Sequence, residues 1–415
     1  MEDICTHQVD KGGNNVKKSL LVIMVLLLSF SLVLSGCGSP APAPAPEAPA
    51  ETENGETPAG DGDVIKIGVF EPMTGANAAG GALEVEGVEL ANELYPTVLG
   101  RPVEFVVVDN RSDVVEAANA ASRLIERENV VAVIGSWGSG FSMAGGPIFE
   151  AAQVPAVAAS ATNPLVTQGN DYYFRVCFID PFQGVVMANY AYNNLGARKA
   201  AIIREVSNDY AVGLASFFEN AFKELTGDPD AVVAISDYQT GDQDFSSQLL
   251  NVSSQNPDVI FAPGNFTESA LVISQAKTLG IEIPFIGGDT WETPEFIDIG
   301  QENVEGVVFS TFFDADAPLT EETQVFLDAY RAKYNREPAA VTALGYDAYI
   351  LILDAIERAG TTDGPALRDA IAATNGFPGA AGVITLNADG DAEKNAVIKT
   401  VQNGVFTYLD TVTPQ

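Results

Sequence analysis

Residues 103–135 read VEFVVVDNRSDVVEAANAASRLIERENVVAVIG. An apolar run at 103–109 ends in a polar turn. A helical pattern follows at 114–128, then a second apolar run at 130–135. Two short apolar strands flanking an amphipathic helix make a βαβ unit, which requires parallel pairing with the helix on one face of the sheet.

The same rhythm extends in both directions. Ahead lie a strand at 64–70 and a helix at 82–95; behind lie a helix at 141–153 and a strand at 155–159. A second series has strands at 200–206, 231–236, 259–262 and 285–288, with helices at 210–225, 245–254 and 268–279. Two series predict two sheets rather than one large one. Between them, a strand at 172–177 and a helix from Phe182 form a first crossing, and 307–313 a return. Two long helices follow at 321–334 and 342–359. The tail is β again at 382–386, 396–402 and 405–409, with Asn403-Gly404 as a tight turn, and makes a third crossing. The expected fold class is α/β, with two doubly wound parallel-sheet lobes joined by a multi-strand hinge. Lobe 1 takes residues 64–182 and 311–375, and lobe 2 takes 183–310 and 376–415. Several crossings limit motion to opening and closing.

Ahead of this body, Lys17 and Lys18 precede an uncharged run from Leu20 to Leu34, then Ser35-Gly36-Cys37. A basic start, an apolar middle and a small-residue end make a secretory signal over residues 1–36. The run is shorter than the ~20 residues that span a bilayer comfortably. Leu34-Ser35-Gly36-Cys37 resembles a bacterial lipobox, which implies cleavage before Cys37 and a lipid on its sulfur. Residues 37–63 then form a Pro/Ala/Glu-rich tether, extended by its alternating prolines and unable to bury a core. The protein is expected outside the cytoplasm, lipid-anchored to the bacterial cell membrane.

The chain has 415 residues and a formal net charge of -35, with no cluster of Lys and Arg to neutralise phosphates, which excludes nucleic acid as a partner. The one histidine, His7, falls in the signal. The body therefore has no histidine triad and no His-ligated metal. Cys177 is the one cysteine after Cys37 and, set in an apolar strand, reads as core filler. No phosphate loop and no Gly-x-Gly-x-x-Gly turn are present. No cofactor, no metal and no catalytic activity are expected.

In open α/β sheets, ligands bind at loops beyond the carboxyl ends of strands. Gly135-Ser136-Trp137-Gly138-Ser139-Gly140 offers free N–H groups and a hydroxyl for an anion, or reads as a tight turn with a serine N-cap. Ala159-Ser160-Ala161-Thr162-Asn163-Pro164 exposes carbonyls and hydroxyls suited to an ammonium group. Gly287-Gly288-Asp289-Thr290-Trp291 places an acid at a strand end, as a cation partner or a helix cap. Tyr210 and Phe266 open helices after strands, and Trp137 and Trp291 fall in candidate loops, so the four aromatics together would line a pocket wall. An anion cradle, an ammonium cage and an apolar wall match a hydrophobic α-amino acid.

Ile67-Gly68 with Pro72-Met73-Thr74-Gly75, the Ile134-Gly135 loop, Ser160 to Pro164, Asp209-Tyr210 and Gly287-Gly288-Asp289 occur in this order. With them the chain resembles the lipid-anchored branched-chain amino acid binding proteins of ABC importers, of the type I periplasmic-binding fold, over essentially all of 64–415. The resemblance implies carboxylate contacts at Ser139 and Thr162 and backbone contacts near Ser160. It implies Asp289 against the ammonium, and aromatic contacts at Tyr210 and Phe266. It departs at Gly80, where relatives close an aromatic over the ligand, at a missing small disulfide, and at Phe266, which lacks a tyrosine hydroxyl. The implied function is capture of an amino acid by a monomer that delivers it to an ABC permease and ATPase. An alternative is a ligand sensor acting through a separate signalling partner. An enzyme would have Asp109, Asp289 and Glu292 to use, but no paired-carboxylate pattern is visible.

Overall fold

The structure, a computed structural model, describes residues 64–317 and 319–414. The expectations for the signal, Cys37 and the tether lie outside the described residues.

The first sheet holds β1 (Ile65–Glu71), β2 (Thr97–Val98), β3 (Arg101–Asp109), β4 (Ala132–Ile134), β5 (Ala156–Ala158) and β6 (Tyr173–Arg175). Their order is β2-β3-β1-β4-β5-β6, with β1 parallel to both β3 and β4. Helices α1 (Ala78–Leu94), α2 (Val114–Arg123) and α3 (Ser139–Ala152) make the crossovers. Strand order reverses between β1 and β4, so the loops after them part and leave a crevice. Asp113 caps α2 by accepting the N–H groups of Val115 and Glu116 at 2.8 and 2.9 Å.

The chain leaves this sheet through α4 (Asp180–Asn189) and builds the second: β7 (Ala200–Glu205), α5 (Asp209–Thr226), β8 (Val232–Tyr238), α6 (Ser246–Ser253), β9 (Val259–Phe261), α7 (Phe266–Thr278), β10 (Phe285–Gly287), α8 (Pro294–Gly300) and β11 (Val308–Thr311). It then returns for α9 (Glu321–Tyr334), α10 (Ala340–Ala359), α11 (Gly364–Ala372) and the hairpin β12 (Phe377–Gly379) and β13 (Gly382–Ile384), which packs on α9 and α10. A last passage at 385–395 leads to the antiparallel pair β14 (Ala396–Gln402) and β15 (Val405–Val412). The second sheet runs β8-β7-β9-β10-β11-β14-β15, with its reversal between β7 and β9. This is the expected α/β class with two parallel-sheet lobes. β2, α8, α11 and β12 were not anticipated; each is short and lacks a full apolar period. The helix expected to 128 closes as a wider turn from Leu124 and stops at Asn129, whose φ is 54°.

Helix α10 is buried along most of its length and packs on α1. The two backbones touch through glycines. A Cβ on Gly345 would stand 2.2 Å from the Glu84 carbonyl oxygen, and one on Gly87 would stand 2.0 Å from that of Thr342. No real Cβ fits there without moving a helix. Gly345→Ala is therefore expected to cost about 1–3 kcal/mol of folding stability, read as a lowered denaturation midpoint. An unchanged midpoint would contradict this packing.

Candidate functional site

A cleft of about 250 Å³ opens between the carboxyl ends of the two sheets, at both strand-order reversals. The first sheet contributes the loops after β1, β3, β4 and β5; the second contributes those after β7, β8, β9 and β10. Asp113, Glu205, Asp209 and Asp289 line the cleft, and among the described residues no lysine, arginine or histidine does. A positively charged group on a ligand is therefore favoured beside these acids.

Asp289 is 2% exposed. Its Oδ1 accepts Gln183 Nε2 at 2.7 Å and the Tyr210 hydroxyl at 2.9 Å. Burial pushes its carboxyl up to about 6, against the lowering effect of these two bonds. Glu205, the last residue of β7, accepts Thr240 Oγ1 at 2.5 Å and the Asn265 N–H at 3.2 Å.

On the opposite wall α3 begins at Gly138, whose φ of 90° suits glycine, with no side-chain cap. Ser139 lies inside the helix rather than capping it. Its Oγ accepts the Asn163 N–H at 3.2 Å, which leaves its own proton to donate. Uncapped N–H groups and a donating hydroxyl suit a carboxylate better than they suit a cation. Trp137, Phe141 and Tyr210 supply apolar surface. Two hydrogen bonds span the cleft: Asn265 Nδ2 to Asn77 Oδ1 at 2.9 Å, and Asn163 Nδ2 to the Asp209 carbonyl at 3.0 Å.

Of the residues singled out in the sequence, Ser139, Ser160, Tyr210, Asp289 and Trp137 lie on the cleft wall. Four others do not. Thr162 faces away: the Asp180 N–H donates to its carbonyl at 3.0 Å, and its hydroxyl lies beside the Asp180 carboxyl. Phe266 is buried in the core at the start of α7, and its neighbour Asn265 takes the wall. Trp291 stacks on Phe296, centroids 5.0 Å apart, and fills the space behind Gly287. Gly80 is covered by the Trp137 indole, which would meet a Cβ there at 2.4 Å.

Asn77, Glu205 and Asn265 were missed. A carboxylate at the end of a strand that opens with four apolar residues, Ala200-Ala201-Ile202-Ile203-Arg204-Glu205, was the available signal. Asp109 instead clasps the loop after β1, accepting the N–H groups of Met73 and Thr74 at 2.9 and 3.2 Å. Glu292 pairs with Lys399 at 2.7 Å. Cys177 is buried, and burial pushes its thiol up.

Residues 64–405 match the family model described as periplasmic binding protein. The chain belongs to the periplasmic binding protein family. Among solved structures it is similar to a leucine-binding protein from Thermotoga maritima, 45% identical, with a TM-score of 0.81 over 84% of this chain and 99% of that one. It is also similar to the branched-chain amino acid transporter substrate-binding protein of Streptococcus pneumoniae in complex with isoleucine, 33% identical, with a TM-score of 0.79 over 85% and 100% of the two chains. A Leu/Ile/Val-binding protein homolog of Brucella melitensis is 29% identical over 335 residues, 79% of this chain and 88% of its own length. These relatives are solute-binding proteins, and the chain, as a member of the same family, is a binding protein rather than an enzyme.

The raised Asp289 carboxyl fixes a sign. Its folded-state value lies above its ordinary 3.8, so its contribution to folding is complete below about 3.8 and is lost as pH rises through about 6. Asp289→Asn keeps the oxygen that Gln183 and Tyr210 address but removes the buried charge. The ligand-free variant is expected to gain on the order of 2–3 kcal/mol over the unsubstituted protein at pH 7.5, with the gap closing towards pH 4, as read by calorimetric melting.

Proposed function

We propose that the protein is an extracytoplasmic solute-binding protein of an ABC importer, taking leucine, isoleucine, valine or a similar hydrophobic amino acid. The observation that carries this is the polarity of the cleft: Glu205, Asp209 and Asp289 on the second-sheet wall, an uncapped helix start on the first-sheet wall, aromatic surface between, and no base among the described lining residues. An α-amino acid presents an ammonium, a carboxylate and an apolar chain in the matching order. The relatives with named amino-acid ligands support the same class.

In this reading Asp289 and Ser160 meet the ammonium, Ser139 with the first turn of α3 meets the carboxylate, and Trp137 and Tyr210 flank the side chain. The lobes divide at the three passages. One is built on the first sheet with α9, α10, α11 and the β12–β13 hairpin, the other on the second sheet. The hairpin packs on α9 and α10, so the last boundary falls at 385–395 rather than 375/376. Periplasmic binding proteins are a standard case of hinge closure around a ligand. A ligand touching both lobes favours the closed form by its differential affinity for it. The closed monomer would dock on the permease, tethered near it by a lipid on Cys37.

At a hundred times its dissociation constant, leucine, isoleucine or valine should add about 2.7 kcal/mol to folded-state stability, and aromatic acids without an amine should add nothing. Asp289→Ala leaves the ligand ammonium buried without its acid, at a cost of about 3–5 kcal/mol in binding. Equal affinity of variant and unsubstituted protein would remove Asp289 from the site. For the anchor, Cys37→Ala should move the protein from the membrane fraction to the soluble fraction with its ligand affinity unchanged; continued membrane retention would contradict lipidation at Cys37.

A further inference from the structure

Two buried carboxyl groups stand behind the cleft wall without reaching the cleft. Glu71 ends β1, and Glu84 lies in the second turn of α1; both are 0% exposed. Each uses one oxygen to hold a different wall loop. Glu71 Oε2 accepts the Trp137 N–H at 2.6 Å and faces Ser136 Oγ at 3.4 Å. Glu84 Oε1 accepts the Ser160 hydroxyl. The other two oxygens, Glu71 Oε1 and Glu84 Oε2, have no other partner, and the two carboxyl groups lie within hydrogen-bonding reach of each other.

Two ionised carboxylates do not share such a site, because repulsion and desolvation both oppose the second charge. The bond between them raises Glu71 and lowers Glu84, which makes Glu71 the donor. Burial is the largest cause of the upward shift at both, and Glu84 is raised to about 7. The surroundings offer no relief. Asp289, beyond β10, adds negative potential at Glu84. Tyr173 on β6 spends its hydroxyl on the Gly135 carbonyl at 2.5 Å. Arg175, also on β6, is held by the Ala161 and Asn163 carbonyls and by Asp391. Cys177 keeps its thiol proton, since burial pushes it up.

We propose that Glu71 and Glu84 hold one shared proton, and that this proton sets the Ser160 hydroxyl as an acceptor for the ligand's ammonium group. Ser160 lines the cleft and gives its proton to Glu84, so its lone pairs are the part left for a ligand. A ligand without an amine leaves both those lone pairs and Asp289 unmatched. The two glutamates touch no ligand; they are positioning residues for the 136–139 and 159–163 loops together. Loss of the proton puts a second charge behind the wall and pushes the loops apart. The ligand half of this inference rests on the proposed amino-acid function; the shared proton does not.

The test is leucine affinity by calorimetry from pH 6 to 9, beside ligand-free melting from pH 5 to 9, for the unsubstituted protein, Glu71→Gln and Glu84→Gln. Either variant keeps the hydrogen bonds and the single negative charge while abolishing the shared proton's titration, so one suffices if the other does not fold. The unsubstituted protein should lose affinity relative to the variant by about tenfold per pH unit once the pair ionises. The ligand's own amine titrates identically in both and cancels. Without ligand, the unsubstituted protein should also lose melting temperature relative to the variant as pH rises, because its folded state holds a proton that the unfolded state has given up. Superimposable melting profiles would overturn the shared proton. A melting difference with superimposable affinity profiles would overturn its role at Ser160. If leucine binds at no pH, the amino-acid function and the ligand half fall together, and melting alone decides the pair.

Discussion

One buried guanidinium, that of Arg175, joins the ligand wall to the hinge. The side chain is 0% exposed at the end of β6. It donates to the Ala161 carbonyl at 2.6 Å, the Asn163 carbonyl at 2.9 Å and Thr167 Oγ1 at 2.9 Å, and its Nε meets Asp391 at 2.7 Å. Asp391 lies in the last passage between the lobes, where its backbone N–H donates to Asn387 Oδ1 at 3.0 Å. A buried charge is tolerated only when it is paired; here Asp391 supplies the counter-charge and the loop carbonyls take the terminal N–H groups. The 159–163 loop is thus gripped from behind by Arg175 and from α1 by Glu84. The last passage and the 159–163 loop are thus joined by a charge-assisted contact.

The cleft separates its two charge problems by chemistry. A ligand carboxylate would meet a helix start and a hydroxyl, neutral groups whose dipoles are already aligned, so no lysine or arginine has to be desolvated. A ligand ammonium would meet carboxyl groups that the fold has buried at its own expense, with Asp289 pushed up to about 6. The formal charge of -35 over the chain adds to this bias but does not create it. Surface acids are screened within about 10 Å at ordinary salt, whereas Asp289 is buried on the cleft wall.

The doubly wound pattern was legible because strand and helix periods differ, and a parallel sheet needs a helix between its strands. The Ser139, Ser160, Tyr210 and Asp289 loops were legible because each follows a strand. What could not be read was direction. Thr162 and Ser160 are two residues apart in one irregular loop, and only the packing of α4 turns Thr162 towards Asp180. Trp291 and Trp137 occupy similar loops, yet Gly287 gives one a core slot and Gly80 gives the other a place on the wall. Glu71 and Glu84 sit on different elements, and their meeting depends on the glycine contact that seats α1 on α10. Arg175 did carry a signal: a lone cation in Tyr172-Tyr173-Phe174-Arg175-Val176-Cys177-Phe178 has to find buried partners.

The body from residue 64 onward contains no histidine, so any response to pH near neutrality must come from groups moved there by burial. The cleft has two such sets with opposite requirements. Asp289 must lose its proton to pair with an ammonium group, and burial makes that loss harder. The Glu71–Glu84 pair must keep one proton to hold Ser160, and burial makes that retention easier. One physical cause therefore bounds ligand capture from both sides, the acid limb through the group on the wall and the alkaline limb through the pair behind it. The two sets also interact, since ionised Asp289 raises Glu84. The charge proposed to receive the ligand would thus strengthen the proton proposed to position its neighbour. An ammonium that neutralises Asp289 withdraws part of that support, yet because capture requires the shared proton, linkage makes a bound ligand hold that proton more tightly on balance.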